Sequence, residues 1–103
     1  MNEKFPQLYR MFMEDYQSVW EAYDQLGAAV HAQGPLDEKT RALVKLGIAA
    51  GARSEGAVHS HTRKALEAGA SPDEIRHALL LALTTIGFPS TMAALSWAED
   101  ELE

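Results

Sequence analysis

Residues 54–69, SEGAVHSHTRKALEAG, contain two of the four histidines and most of the side chains capable of acid/base chemistry. The segment is predicted to be a helix, on which Ser54, Ala57 and His61 share one edge because they lie three and seven positions apart. Imidazole accepts and returns a proton near neutral pH, which makes His61 the candidate general acid/base. The competing interpretation is a histidine that only hydrogen-bonds a carbonyl group beside the core. Either way, we expect His61 to be half-buried at the rim of the apolar stripe of this helix.

The other polar residues of this region have simpler interpretations. Ser54 is expected to cap the helix N-terminus, and Glu55 to stabilise the helix dipole in the first turn. His59 is expected to be a solvated surface residue on the other side of the stripe. Residues two apart on a helix point about 200° apart, so His59 and His61 cannot chelate a metal together. His77 could approach another histidine only through tertiary or subunit contacts, and we expect no metal site.

Composition excludes several classes of function. The chain has 103 residues, a net charge of −6 and no cysteine. The negative charge argues against nucleic acid as a partner, and no cluster of Lys or Arg favours docking to a membrane. Without cysteine there is no disulfide, thiolate nucleophile or thiolate metal ligand. The N-terminus lacks the apolar run of a signal peptide, so we expect a cytoplasmic protein with one domain over residues 1–103.

Helical periodicity dominates the N-terminal third of the chain. Apolar residues recur every three or four positions and predict an N-terminal helix over residues 5–32. The pattern fits one long helix or two helices joined near residues 14–18. Gly34 and Pro35 end it, because proline disfavours helix in the residue before it.

A second helix is predicted over residues 37–50. Asp37 or Leu36 is its expected cap, and Gly51 its expected end. Gly47 lies inside this helix and is predicted to mark a close helix contact, since glycine there costs about 1 kcal/mol relative to alanine.

Two further helices complete an all-α fold. One begins at the capping box of residues 71–74 and runs to Ile86; the last covers residues 89–102. Leu80 and Leu81 fall outside the main apolar stripe of the first of these helices. A helix that is apolar on several sides is buried on several sides, which in so short a chain predicts a homo-oligomer interface.

Four motifs of the C-terminal two-thirds occur together in one family. They are LDEKTRALV, HTRKALEAG, the Glu74-Ile75 pair, and Gly87-Phe88-Pro89 followed by Ala93-Ala94. On these motifs, residues 36–102 resemble the carboxymuconolactone decarboxylase family, a superfamily that also holds the alkylhydroperoxidase D-like proteins. The resemblance implies an all-helical protomer of about five helices that assembles into trimers or hexamers.

The peroxidase branch of this superfamily carries an upstream glutamate, a C-x-x-C pair and a histidine four residues later. Ser54 and Ala57 stand at the cysteine positions here, Ala42 stands at the glutamate position, and His61 is retained. A serine hydroxyl cannot cycle through sulfenic acid and disulfide. Thiol peroxidase activity is therefore excluded for this chain on chemical grounds.

The decarboxylase branch also lacks the cysteine pair and is the nearer relative. The resemblance implies a lyase, free of metal and cofactor, in which His61 acts as general acid/base on a small anionic metabolite. Ser54 and Glu55 lie in the corresponding stretch as substrate-binding candidates, with Arg53 or Arg63 as carboxylate anchors. The alternative is a non-catalytic ligand-binding or structural oligomer that kept the fold after losing the cysteines. A polar pocket around His61 would favour the enzyme, whereas a carbonyl-capped His61 in a filled core would favour the alternative.

Overall fold

The computed structural model describes residues 4–102, with side chains from residue 7 onward, and this part of the chain is all-α, as predicted. Its helices are α1 Lys4–Asp15, α2 Gln17–Ala32, α3 Glu38–Gly51, α4 Glu55–Glu67, α5 Pro72–Leu80, α6 Leu83–Ile86 and α7 Phe88–Leu102. The chain divides into two compact units, one ending at Pro35 and the other beginning at Leu36. The assignment of residues 1–103 to a single domain stays a prediction.

The N-terminal unit contains α1 and α2, the second of the two arrangements that the sequence allows. Tyr16 separates the helices with φ −128° and ψ 51°, although its N–H still donates to Phe12 O at 2.9 Å. The large apolar side chains of the predicted stripe are mostly exposed: Leu8, Tyr9, Phe12, Tyr16, Val19, Tyr23, Leu26 and Val30. The side chain of Phe5, the first residue of that stripe, lies outside the described residues. None of the described helices is long and apolar enough to cross a bilayer.

The core of the C-terminal unit lies among α3, α4, α5 and α7. Its buried apolar residues are Leu46, Ala49, Ala50, Val58, Ala65, Ala70, Ile75, Leu79, Ala94 and Ala98. Each fully buried Leu, Ile or Val side chain stabilises the fold by about 1.5–3 kcal/mol relative to its exposed state. The many alanines let the helices approach closely, and α4 packs against both α3 and α7. This packing fixes which edges of α4 face outward.

The N-terminal caps of α3 and α5 are those that the sequence predicts. Asp37 caps α3 by accepting from Thr40 N at 2.8 Å. Its pKa is lowered first by the side chain of Thr40 and then by this backbone bond. At α5, Ser71 Oγ accepts from Glu74 N at 3.0 Å while Glu74 Oε1 accepts from Ser71 N at 2.9 Å. The predicted capping box is confirmed, with Pro72 in the first turn.

The cap at the end of α3 differs from the prediction. The helix continues through Gly51, and the left-handed residue is Arg53, with φ 55°. Arg53 N donates to Ala50 O at 3.0 Å and Ser54 N to Ala49 O at 3.3 Å, the two bonds of a Schellman cap. α3 does end at Gly51, as predicted, but the left-handed cap forms two residues later, around the non-glycine residue Arg53.

The predicted helix from residue 71 to Ile86 is interrupted. α5 ends at Leu80 and α6 begins at Leu83, and Ala82 N donates to Leu79 O at 3.0 Å. A bond to the third preceding residue tightens the turn relative to an α-helix and splits the predicted element.

Gly47 also departs from its predicted role. A Cβ atom built there would meet no heavy atom within 4 Å, so Gly47 makes no close helix contact in the protomer.

Candidate functional site

Ser54 positions the N-terminus of α4. It has extended backbone angles (φ −103°, ψ 105°), and its Oγ accepts from Ala57 N at 3.3 Å. The predicted N-cap role of Ser54 is confirmed. The hydroxyl group is therefore already a hydrogen-bond acceptor for the protein's own backbone.

His61 lies on α4, half-buried as predicted from its position beside the apolar stripe. Burial is the largest cause of its lowered pKa, and the positive charges of Lys64 and Lys45 lower it further. Within residues 4–102 we find no hydrogen-bond partner for its ring, and no carbonyl group caps it. His61 is thus a predominantly neutral imidazole at neutral pH in a cationic environment.

His59 lies on the other side of α4, and its prediction as a solvated residue was wrong. Its side chain is 4% exposed, and its Nδ1 lies 2.7 Å from Glu101 Oε2. An ionised carboxylate only accepts hydrogen bonds, so Nδ1 is the donor. His59 Nε2 lies 3.4 Å from Glu55 Oε2 and 3.8 Å from Asp100 Oδ2. The C-terminal turn of α7 covers this edge of α4 and supplies the two carboxylates that the sequence pattern did not place there.

Arg63 completes this group of side chains. Its Nη1 lies 3.2 Å from Glu101 Oε2, the same oxygen that His59 contacts. Glu101 is only 11% exposed, so one nearly buried carboxylate oxygen faces two donor groups. We call Glu55, His59, Arg63, Asp100 and Glu101 the His59 cluster. It holds two of the predicted substrate-binding residues, Glu55 and Arg63, on the edge of α4 away from His61.

Arg53 is the remaining predicted binding residue. Its Nε donates to Ser90 Oγ at 2.9 Å, which ties the α3–α4 connection to the first turn of α7. Left-handed backbone in a residue other than glycine costs roughly 1 kcal/mol. Such strained residues are found at functional sites more often than elsewhere. The exposed Arg53 side chain stands beside the N-terminus of α4, and Ser54 and His61 are separated by about 10 Å along the helix axis.

The predicted site residues therefore occupy different places. Ser54 and Arg53 lie at the start of α4, His61 lies two turns later, and Glu55 and Arg63 belong to the His59 cluster. Among residues 4–102, no three His, Asp or Glu side chains are arranged to hold a metal ion.

The comparison with protein families decides the lineage. Residues 15–100 match the carboxymuconolactone decarboxylase family. The chain belongs to this family. The match begins before Leu36, where the recognisable motifs start, and so extends into the N-terminal helices. Among curated proteins, no sequence matches.

A solved structure shares the fold. The crystal structure of apo-lpg0406, a carboxymuconolactone decarboxylase family protein from Legionella pneumophila, superimposes with a TM-score of 0.81. The similarity covers 98% of this chain and 93% of that chain at 19% sequence identity. At that identity the likeness supports the fold, whereas the chemistry has to be argued from the residues of this chain.

Proposed function

We propose that this member of the carboxymuconolactone decarboxylase family is a lyase that uses His61 as general acid/base on a small anionic metabolite. The observation that carries the proposal is the setting of His61: half-buried, without a hydrogen-bond partner among the described residues, and close to two lysines. A neutral imidazole can take up a proton, and a nearby positive charge attracts an anionic substrate.

The proposed reaction is a decarboxylation. The bond between the carboxylate and the adjacent carbon breaks, CO2 leaves, and the electron pair remains on that carbon. His61, which is neutral at rest, takes up a proton from solvent water, donates it to the carbon as the imidazolium and returns to the neutral form. Lys45 and Lys64 favour this step, because their positive charges stabilise the negative charge that develops on the substrate.

Arg53 is the better of the two candidate carboxylate anchors. Arg63 faces Glu101 at 3.2 Å, so its charge is already balanced within the protein. Arg53 uses its Nε on a neutral hydroxyl group and keeps its full charge at the start of α4. A substrate that contacts both Arg53 and His61 would lie along the edge of α4 that contains Ser54. Glu55 then acts indirectly, by holding His59.

We also propose that the protein self-associates. Ile48, Leu80 and Phe88 are 65%, 51% and 63% exposed, which leaves apolar surface on three elements of the C-terminal unit. A helix that carries apolar side chains outside its main stripe is typically buried on more than one side. A trimer or hexamer would bury this surface, and sedimentation velocity would measure the assembly. Location in the cytoplasm stays a prediction.

A second candidate is a ligand-binding or structural oligomer without catalytic activity. The observation that favours it is that Glu55 and Arg63 contact the protein's own residues in the His59 cluster. Under this alternative, the wild-type protein turns over none of the small lactone carboxylates offered to it.

The test is turnover by His61→Ala. Carboxymuconolactone and related small lactone carboxylates would be screened by CO2 release with the wild-type protein. With any substrate found, we expect His61→Ala to lower kcat by roughly a hundredfold or more, the contribution of a general acid/base. His31→Ala, a histidine of the N-terminal unit, is the control and should keep its activity. A folded His61→Ala variant with the wild-type assembly and full turnover would contradict the proposal.

A further inference from the structure

A second concave surface lies on the C-terminal unit, apart from His61. It is a groove of about 580 Å³ between α3 on one side and α5 and α6 on the other. Small-molecule sites in proteins have volumes of about 300–1,000 Å³ and mostly apolar walls. His61, Arg53 and the His59 cluster are not among its lining residues, so the groove is independent of the proposed reaction.

The walls of the groove are apolar, and no side chain fills its floor at Gly47. Leu43 and Val44 form one wall, and Leu81 and Ile86 form the other. Gly47 lines the groove from α3, one turn after Leu43 and Val44, and a Cβ atom there would meet nothing within 4 Å. A glycine inside a helix costs about 1 kcal/mol relative to alanine, and no close packing in the protomer accounts for it. The missing side chain keeps the groove deep enough for an apolar group.

The polar edge of the groove favours a ligand that accepts hydrogen bonds. Glu74 is the one carboxylate among the lining residues, and it already accepts from Ser71 N and Lys39 Nζ, each at 2.9 Å. These two contacts, the Ser71 bond first, lower the pKa of Glu74, so it remains ionised and paired. His77 and Thr85 add donors in the groove. Lys39 is not a lining residue, but it is held beside the groove by Glu74 at 2.9 Å and has further N–H groups there. A carboxylate complements these donors, whereas an amine would compete with Lys39 for Glu74.

We propose that this groove binds a small amphipathic carboxylic acid, with its apolar chain over Gly47 and its carboxylate beside His77 and Lys39. The site combines an apolar body with an edge rich in hydrogen-bond donors, at which the one carboxylate, Glu74, is already paired. A medium-chain or aromatic acid complements this arrangement in shape and in hydrogen bonding.

The experiment uses octanoate, octanol and octylamine as probes in calorimetric titrations of the full-length protein. We expect saturable octanoate binding that is tighter than that of the other two probes. Gly47→Leu fills the groove without a clash at Cβ and should lower octanoate affinity at least tenfold. Gly27→Leu is the matched control, because Gly27 is also a helix residue with open space around its Cβ, and it should bind octanoate like the wild type.

His77→Gln separates the contact of the His77 ring with the carboxylate from the shape of the cavity. It should weaken octanoate binding by about tenfold, the loss of one charge-assisted hydrogen bond, and leave octanol binding unchanged. Absence of saturable octanoate binding, or equal octanoate affinity in Gly47→Leu, would overturn the proposal. Equal affinities for the three probes would overturn the assignment to acids. Sedimentation velocity supplies the last outcome: if Gly47→Leu dissociates an assembly, the groove is an interface between copies and the ligand proposal is wrong.

Discussion

The two histidines of α4 are two residues apart and have opposite surroundings. His59 is enclosed by carboxylates from α4 and α7, with its Nδ1 2.7 Å from Glu101. His61 is half-buried and close to Lys45 and Lys64. The same side chain therefore fastens two helices on one edge and remains available for chemistry on the other. The difference arises from the helix that covers each edge, and not from the histidine itself.

The largest expected effect is the loss of the stability that the His59 cluster provides. His59→Ala removes a buried donor and leaves the nearly buried Glu101 with only Arg63. We expect a loss of roughly 3 kcal/mol in the free energy of unfolding, as for other broken buried pairs. Urea denaturation would measure it. His61→Ala, the matched change on the other edge of α4, should lower the free energy of unfolding by less than about 1 kcal/mol. Equal losses in the two variants would show that His59 and His61 do not differ in their structural role.

A smaller effect is expected at the connection that leads into the His61 edge. α3 and α4 end in the same Schellman cap, with Arg53 at φ 55° in one and Gly69 at φ 95° in the other. Arg53→Gly relieves left-handed strain and should stabilise the fold by up to about 1 kcal/mol, while lowering substrate affinity if Arg53 is the anchor. Gly69→Ala should destabilise by a similar amount.

Thermal unfolding with parallel measurements of KM would show whether these changes occur. Arg53→Ala loses the same hydrogen bond to Ser90 but keeps the left-handed strain. An Arg53→Gly variant that is less stable than Arg53→Ala would therefore show that Arg53 is not strained. An unchanged KM would show that Arg53 does not bind the substrate.

The smallest effect concerns pH. The pKa of His61 is lowered in the folded protein below its model-compound value of 6.5. Below the pKa of the folded protein, His61 is protonated in both the folded and the unfolded protein, and the full free-energy cost of its charge in the folded protein applies. Above about 6.5, His61 is neutral in both, and this cost vanishes. The stability contribution of His61 therefore rises with pH through the window between the lowered value and 6.5. In that window, His61→Gln should flatten the dependence of the free energy of unfolding on pH. An unchanged slope would show that the pKa of His61 is not lowered.

Short sequence patterns predicted the helices well, but they predicted the contacts between residues far apart in the chain less well. The α5 capping box depends only on residues 71–74, and the half-burial of His61 follows from its position beside the stripe. The burial of His59 depends on Glu101, 42 residues further along the chain, so no local pattern predicts it. The division between α5 and α6 has no Gly or Pro to mark it, since Leu81 and Ala82 are good helix formers.

The difference between the two histidines can be measured most directly by carbethoxylation of the native protein with diethyl pyrocarbonate, followed by peptide mass spectrometry. The reagent attacks neutral, accessible imidazole. The structure predicts rapid modification of His61, in parallel with any loss of turnover, and slow modification of His59 until the protein unfolds. Modification of His59 as fast as His61, or a protected His61, would contradict the assignment of His61 as the open acid/base.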